Sequence, residues 1–204
     1  MGDMPHLRAV RRSDDAALSE ICLRTADHGA DATGIFDDDE IWGAVFALPY
    51  AERHPDLAFV VADEEDRAIG YVVAAPDTDA FEEWFRSEWW PRFAVRWPEP
   101  SPDDASRQAE TLRYAYGRGP GREPLAERHP AHLHIDLLPA AQGQGWGRRL
   151  IDRALDQLRA SGVSGLHLVA SAANAGALAF YDRLGFERLP SSPGAQAFGI
   201  DLER

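Results

Sequence analysis

Apolar positions recur along this chain with two periods, and each change of period marks an element. His6 to Arg11 (HLRAVR) alternates with a period of two and predicts a short strand. Ser13-Asp14 then caps a helix reaching about Arg24, with Ala17, Leu18, Ile21 and Cys22 on one face. Residues 26–40 form a Gly- and Asp-rich loop whose Asp37, Asp38 and Asp39 precede a helix near Glu40, since acids favour a helix N-terminus. Those aspartates lack the order of a calcium loop. Residues 57–62 and 68–75 are apolar, β-branched runs joined by Asp63-Glu-Glu-Asp-Arg67, the pattern of an antiparallel hairpin.

Residues 79–97 (DAFEEWFRSEWWPRFAVRW) read as helical and aromatic, interrupted by Pro91; Trp84, Trp89 and Trp90 suit core positions better than ligand contacts. Residues 98–130 are rich in Pro, Gly and Arg, with one helix over 103–116, and predict an insert covering the core. Within it Gly117-Arg-Gly-Pro-Gly121 contains a proline, lacks a helix after it, and reads as a loop. Residues 132–137 and 165–170 supply two more strands around an amphipathic helix, whose apolar stripe is Trp146, Leu150, Ile151, Ala154, Leu155 and Leu158. Residues 195–202 (AQAFGIDL) alternate and close the sheet. About seven strands and several helices in this order predict a mixed α/β sheet covered on both faces.

Composition narrows the function. The 204 residues suit a single domain, 1–204, with an insert at about 79–130. No apolar run approaches the length of a membrane span. The start, Met1-Gly-Asp-Met-Pro-His6, has neither a basic nor an apolar signal region. Cys22 is the sole cysteine, which excludes an internal disulfide and predicts a cytoplasmic protein; its place among core positions reads as packing. A net charge of −13 argues against a nucleic-acid partner and fits a basic or amine substrate. All 21 basic residues are arginine, so a P-loop lysine and a Schiff-base lysine are both excluded.

The chemistry concentrates after His132. Gln142-Gly-Gln-Gly-Trp-Gly147 follows a strand and opens a helix. Gly143, Gly145 and Gly147 let the backbone turn tightly and approach a ligand, and the free N–H groups of a first helical turn favour an anion. Arg148 and Arg149 follow, a positive focus suited to a diphosphate. This is not a dinucleotide fingerprint, because the third glycine of G-x-G-x-x-G falls at Arg148. On the preceding strand, alternation puts His132, His134 and Asp136 on one face. Such a triplet either borders a substrate cleft, with Asp136 or His134 as a base acting directly or through water, or hydrogen-bonds neighbouring loops as structure.

Q-x-x-G-x-G (Gln142, Gly145, Gly147), the strand Ile135-Asp-Leu-Leu-Pro139, Asn174 and Phe180-Tyr181-Asp-Arg-Leu-Gly-Phe186 together resemble the acyl-CoA site of the GNAT N-acetyltransferase superfamily. More narrowly, Gly70-Tyr71-Val72, Trp89-Trp-Pro-Arg-Phe93 and His132-Leu-His-Ile-Asp136 resemble bacterial relatives of the acetyltransferase-like C-terminal domain of O-GlcNAcase. The eukaryotic domain of that kind looks like a pseudo-acetyltransferase with a degraded cofactor loop; here the loop is intact.

The resemblance implies a mostly antiparallel central sheet that splays open around acetyl-CoA, the acyl donor. The pantetheine would pair with the backbone of Leu137 and Leu138, and Asn174 would reach its arm. The diphosphate would rest on the amides of Gln142, Gly143, Gln144, Gly145, Trp146, Gly147 and Arg148. A backbone N–H near Leu137 or Leu138 would steady the oxyanion, and Tyr181 would protonate the leaving thiolate. The acceptor would be an amine on a small molecule or peptide. The alternative it allows is a non-catalytic acetyl-CoA-binding or protein-interaction domain.

Overall fold

The computed structural model describes residues 4–203. Its strands are β1 His6–Ala9, β2 Ala58–Ala62, β3 Ala68–Ala75, β4 Ala131–Leu137, β5 Gly165–Ser171, β6 Glu187–Leu189 and β7 Ala195–Asp201, in one sheet of order β1-β2-β3-β4-β5-β7-β6. Helices α1 Asp15–Leu23, α2 Glu40–Phe46, α3 Leu48–Arg53, α4 Thr78–Trp84 and α5 Arg107–Gly117 pack on one face. Helices α6 Trp146–Ala160 and α7 Ala175–Leu184 pack on the other. Because both faces are covered, β2 is buried along its whole length. Alternation on β3 sends Tyr71 and Val73 into the α1–α5 core and Val72 and Ala74 into the α6–α7 core.

The pairing of β4 decides where a ligand can enter. It is antiparallel to β3 from Ala75↔His132 to Gly70↔Leu137, but parallel to β5 at only Ala131↔Leu166 and His132↔His167. Beyond His132 the strands part, while β5 stays paired with β7 as far as Ser171↔Ala195. In an antiparallel ladder successive residues turn their N–H and C=O groups alternately toward and away from the partner. Leu138 donates its N–H to the Ile69 carbonyl at 3.0 Å, so Leu137 and Ile135 turn theirs away from β3, into the gap.

The structure departs from the sequence reading where local chemistry overrides pattern. The aromatic stretch is not one helix. α4 passes into a π turn at Phe85–Trp89 and a 3-10 turn at Trp90–Phe93, because Pro91 has no N–H to continue the ladder. Trp84, Trp89 and Trp90 are buried in the core, the place expected of such large aromatic side chains. α5 begins at Arg107 rather than 103, since the Ser106 hydroxyl caps it by accepting the Ala109 N–H at 3.1 Å. Edge strand β6 carries only three residues and one apolar side chain, too little for a pattern to register. Among the described residues, no helix is long and apolar enough to cross a membrane.

Candidate active site

The gap between β4 and β5 widens into a cleft of about 540 Å³ bordered by Ile135, Asp136, Leu137, the glycine turn, Asn174 and Tyr181. At the turn, Gly143 and Gly145 have φ of 71° and 81°, the left-handed region that penalises a Cβ. Gly147 is held to glycine by contact instead: a Cβ there would lie 3.1 Å from the Phe180 ring, so its absence lets α6 press against α7. The amides of residues 143 to 148 donate to no acceptor among the described residues, and Arg149 closes the first helical bond onto Gly145 at 3.2 Å. A run of unsatisfied N–H groups thus faces the cleft at the positive end of a 15-residue helix.

Several of the expected cofactor residues commit their side chains, and two of them their backbone N–H, to local contacts. Gln142 donates its N–H to Pro139 at 3.2 Å and its Nε2 to the Leu137 carbonyl at 2.8 Å, pinning the turn to the strand end. Its backbone N–H is therefore not available to a diphosphate. The Leu138 amide is engaged by Ile69, and its side chain packs in the α1–α5 core, so the free backbone N–H groups of the strand are those of Ile135 and Leu137. The Gln144 side chain turns back onto Ala140, and Trp146 packs on the α6 core beneath the Arg149 guanidinium. Arg148 lines the cleft beside Asp152, 3.7 Å away. Asn174 caps α7, its Oδ1 accepting the Ala177 N–H at 3.0 Å, and its Nδ2 bonds no described residue.

A wall of the cleft was missed. Thr25, just past the end of α1, lines it together with His28 and Gly29, which form a two-residue turn closed by Asp27–Ala30 bonds of 3.0 and 2.9 Å. His28 and Gly29 have φ of 54° and 95°, the pair of left-handed residues such a turn demands. A Cβ on Gly29 would stand 2.9 Å from Asn174, so the turn spans the cleft to the mouth of α7. The only signal in the sequence was a His-Gly pair within a loop of otherwise ordinary turn residues.

Three titratable side chains carried the catalytic expectation, and the structure separates them. Tyr181 is buried among Phe180, Phe186 and Phe198, and its hydroxyl makes no hydrogen bond among the described residues. Burial, with the nearby Asp136 carboxylate, raises it well above an ordinary phenol. Asp136 lines the same cleft and accepts the Tyr71 hydroxyl at 2.5 Å; burial raises its carboxyl above the usual range despite that bond.

His134 shares the face of Asp136 but lines a second cavity, of about 310 Å³, whose floor is Tyr50, His132 and His134. Its expected advantage as a base near neutral pH is lost: burial, then the Arg118 charge, lower it to about 3. The network fixes its proton. Thr78 Oγ1 lies 2.7 Å from the Pro130 carbonyl and must donate there, so His132 Nδ1–H donates to Thr78 at 2.8 Å. His132 Nε2 then accepts the Tyr50 hydroxyl at 2.9 Å, and His134 Nε2–H donates to Tyr50 at 3.1 Å. Both nitrogens of His132 are engaged, which makes it structural, whereas Nδ1 of His134 keeps a lone pair.

The comparisons agree with this geometry. The model of the acetyltransferase (GNAT) family matches residues 25–186. This chain belongs to the GNAT acetyltransferase family. Its fold is shared with the crystal structure of SsHAT, at 37% identity and a TM-score of 0.92 over 99% of this chain and 100% of that one. A GNAT phosphinothricin acetyltransferase from Sinorhizobium meliloti, solved with acetyl-CoA, has the same fold at 17% identity and a TM-score of 0.55, over 98% of this chain and 89% of that one. A mycothiol acetyltransferase of Renibacterium salmoninarum is 26% identical over 159 residues, 74% of this GNAT chain and 38% of the relative. The chain spans less than two fifths of the curated relatives it matches first.

Proposed function

We propose that this GNAT chain is an acetyl-CoA-dependent N-acetyltransferase that passes the acetyl group directly to an amine of a small molecule or peptide. The observation that carries the reading is the parting of β4 from β5, which gathers the outward-turned Leu137 N–H, the Tyr181 hydroxyl and the Asp136 carboxyl in one cleft ending at the glycine turn. Bound there, acetyl-CoA supplies a thioester carbonyl open to attack and a thiolate leaving group.

The chain's own residues do the rest. The amides of 143 to 148 and the Arg148 charge hold the diphosphate, and Asn174 Nδ2 faces the pantetheine arm. Leu137 N–H donates to the oxygen that gains charge as the carbonyl is attacked. Asp136, ionised, takes the proton lost by the amine as the C–N bond forms, directly or through one water. Tyr181 gives its proton to the sulfur as the C–S bond breaks, and solvent restores both groups. A raised phenol suits this role: it holds its proton at every working pH, and the burial that disfavours phenolate disfavours thiolate as well.

The narrower kinship with bacterial relatives of the O-GlcNAcase C-terminal domain, a single domain over 1–204 with 79–130 as its insert, and a cytoplasmic site of action complete the proposal. The intact turn, with its free amides, speaks against a cofactor-free relic or a purely structural role.

Calorimetry tests the reading. The intact protein binds acetyl-CoA with a micromolar constant, and Gly145→Glu weakens binding at least tenfold, since a side chain at φ 81° strains the turn and its carboxylate faces the diphosphate. No heat of binding from the intact protein would end the proposal.

The proton path has a pH signature. Asp136 must be ionised, and its raised carboxyl means kcat/KM climbs with pH through a limb lying above the ordinary carboxylate range. Asp136→Asn lowers kcat/KM about a hundredfold and removes that limb. The acceptor amine's own deprotonation gives a separate limb at higher pH that the variant keeps; survival of the lower limb in Asp136→Asn, with kcat/KM undiminished, excludes Asp136 as the base.

A further inference from the structure

The 310 Å³ cavity adjoins the cofactor cleft along β4, where His134 and Asp136 sit two residues apart, about 7 Å. Its far rim is the Gly117-Arg-Gly-Pro-Gly-Arg122 segment, which the cofactor site leaves unused. The arginines there differ sharply. Arg118 is buried and fully answered: Glu82 accepts from it at 2.6 and 2.8 Å, and it also donates to the Val45 carbonyl and Tyr50. Arg113 is tied to the carbonyls of Ser101 and Asp104. Arg122 forms no ion pair or hydrogen bond with any described residue.

Arg122 also lies close to another cation. A Cβ on Gly119 would stand 3.8 Å from Nε of both Arg122 and Arg86. Arg86 is already paired with Glu83 at 2.6 Å, and Glu123, the remaining acid of the cavity, holds the Leu125 N–H. Arg12, Arg53, Arg149, Arg153 and Arg183 likewise form no side-chain ion pair or hydrogen bond with described residues, but of these unpaired arginines only Arg122 lines this cavity, beside two rim cations that acids or carbonyls already hold. Between this rim and the floor stand Tyr114 and Val169, about half exposed at 50% and 56%, which offer apolar walls.

We infer that the amine acceptor also carries an anionic group, a carboxylate or phosphate, which Arg122 binds while an apolar stem lies against Tyr114 and Val169 and the amine reaches Asp136. This deepens the acetyltransferase reading and rests on it. Arg122 is then a specificity residue that sets which amines are held, with no part in proton transfer.

A molecular ruler tests it. Straight-chain ω-amino carboxylates of increasing length, glycine to 8-aminooctanoate, are titrated calorimetrically against n-alkylamines of equal length, with and without saturating CoA. At the best length the carboxylate binds at least tenfold tighter than its alkylamine. That ratio collapses toward one in Arg122→Gln and is partly kept in Arg122→Lys, which preserves charge without the planar fork. An ω-aminoalkyl phosphate of the same length decides between the two anions. Equal binding of carboxylate and alkylamine, no binding by either class, or a ratio unchanged in Arg122→Gln overturns the inference. A protein that binds acetyl-CoA yet shows no carboxylate preference fails here alone, whereas one that binds no acetyl-CoA fails the acetyltransferase reading itself.

Discussion

Tyr181→Phe lowers kcat by about 10²–10⁴-fold while leaving acetyl-CoA affinity within a few-fold of the parent, the range general acids contribute. The ring stays, so the contacts with Phe180, Phe186 and Phe198 that fix the end of α7 are kept, and only the hydroxyl goes. That hydroxyl has no hydrogen-bond partner among the described residues, so its removal orphans nothing and the fold should not notice. The loss must then come from the leaving sulfur, which departs as an unprotonated thiolate in a cleft that resists charge. Rapid-quench and steady-state rates with a good amine acceptor, beside a cofactor titration, check both halves. Full turnover with normal binding would remove Tyr181 from the reaction and leave it as packing.

How much of this was legible beforehand depended on whether a residue's role is local. The glycine turn could be read because its constraints lie within a few residues: a strand, a left-handed backbone at Gly143 and Gly145, and a helix N-terminus. Even there the side chains misled. Gln142 looked like a phosphate donor and instead clamps Leu137, a contact that exists only once the turn has folded back on the strand. Leu137 and Leu138 were indistinguishable in sequence, since ladder parity is set by pairing with Ile69 on a distant strand. The same holds for His134. Its residue type promised a base near neutral pH, but Tyr50 and Arg118, both remote in the chain, determine its charge and its tautomer.

The acceptor side was the least readable part. Thr25, His28 and Gly29 reach the cleft through a turn whose position depends on α1 docking, and the 117–122 segment gave no more than a run of Gly, Pro and Arg. Loops of this kind acquire meaning from what they face. The core, by contrast, was plain in the apolar spacing of α6, where burial follows from period, and in the tryptophans around Pro91, whose size and apolarity call for burial even where the helix breaks.

Leu137→Pro should reduce kcat by about 10²–10³-fold, the loss expected when one preorganised oxyanion donor is removed. Proline in a central strand ordinarily breaks a ladder bond, but Leu137 turns its N–H away from β3 and toward the gap, so no sheet bond depends on it. In effect β4 has an edge there, where it has parted from β5. The side chain is a separate matter, since Leu137 packs partly against the α6–α7 core and against Gly70. Leu137→Ala isolates it: that variant loses the packing but keeps the amide. The difference in kcat between the two variants, at matched thermal stability, therefore reports the N–H alone. Equal rates in folded Leu137→Pro and Leu137→Ala would place the oxyanion elsewhere. Ile135, the other residue of the strand that turns its N–H into the gap, would then be the group to test.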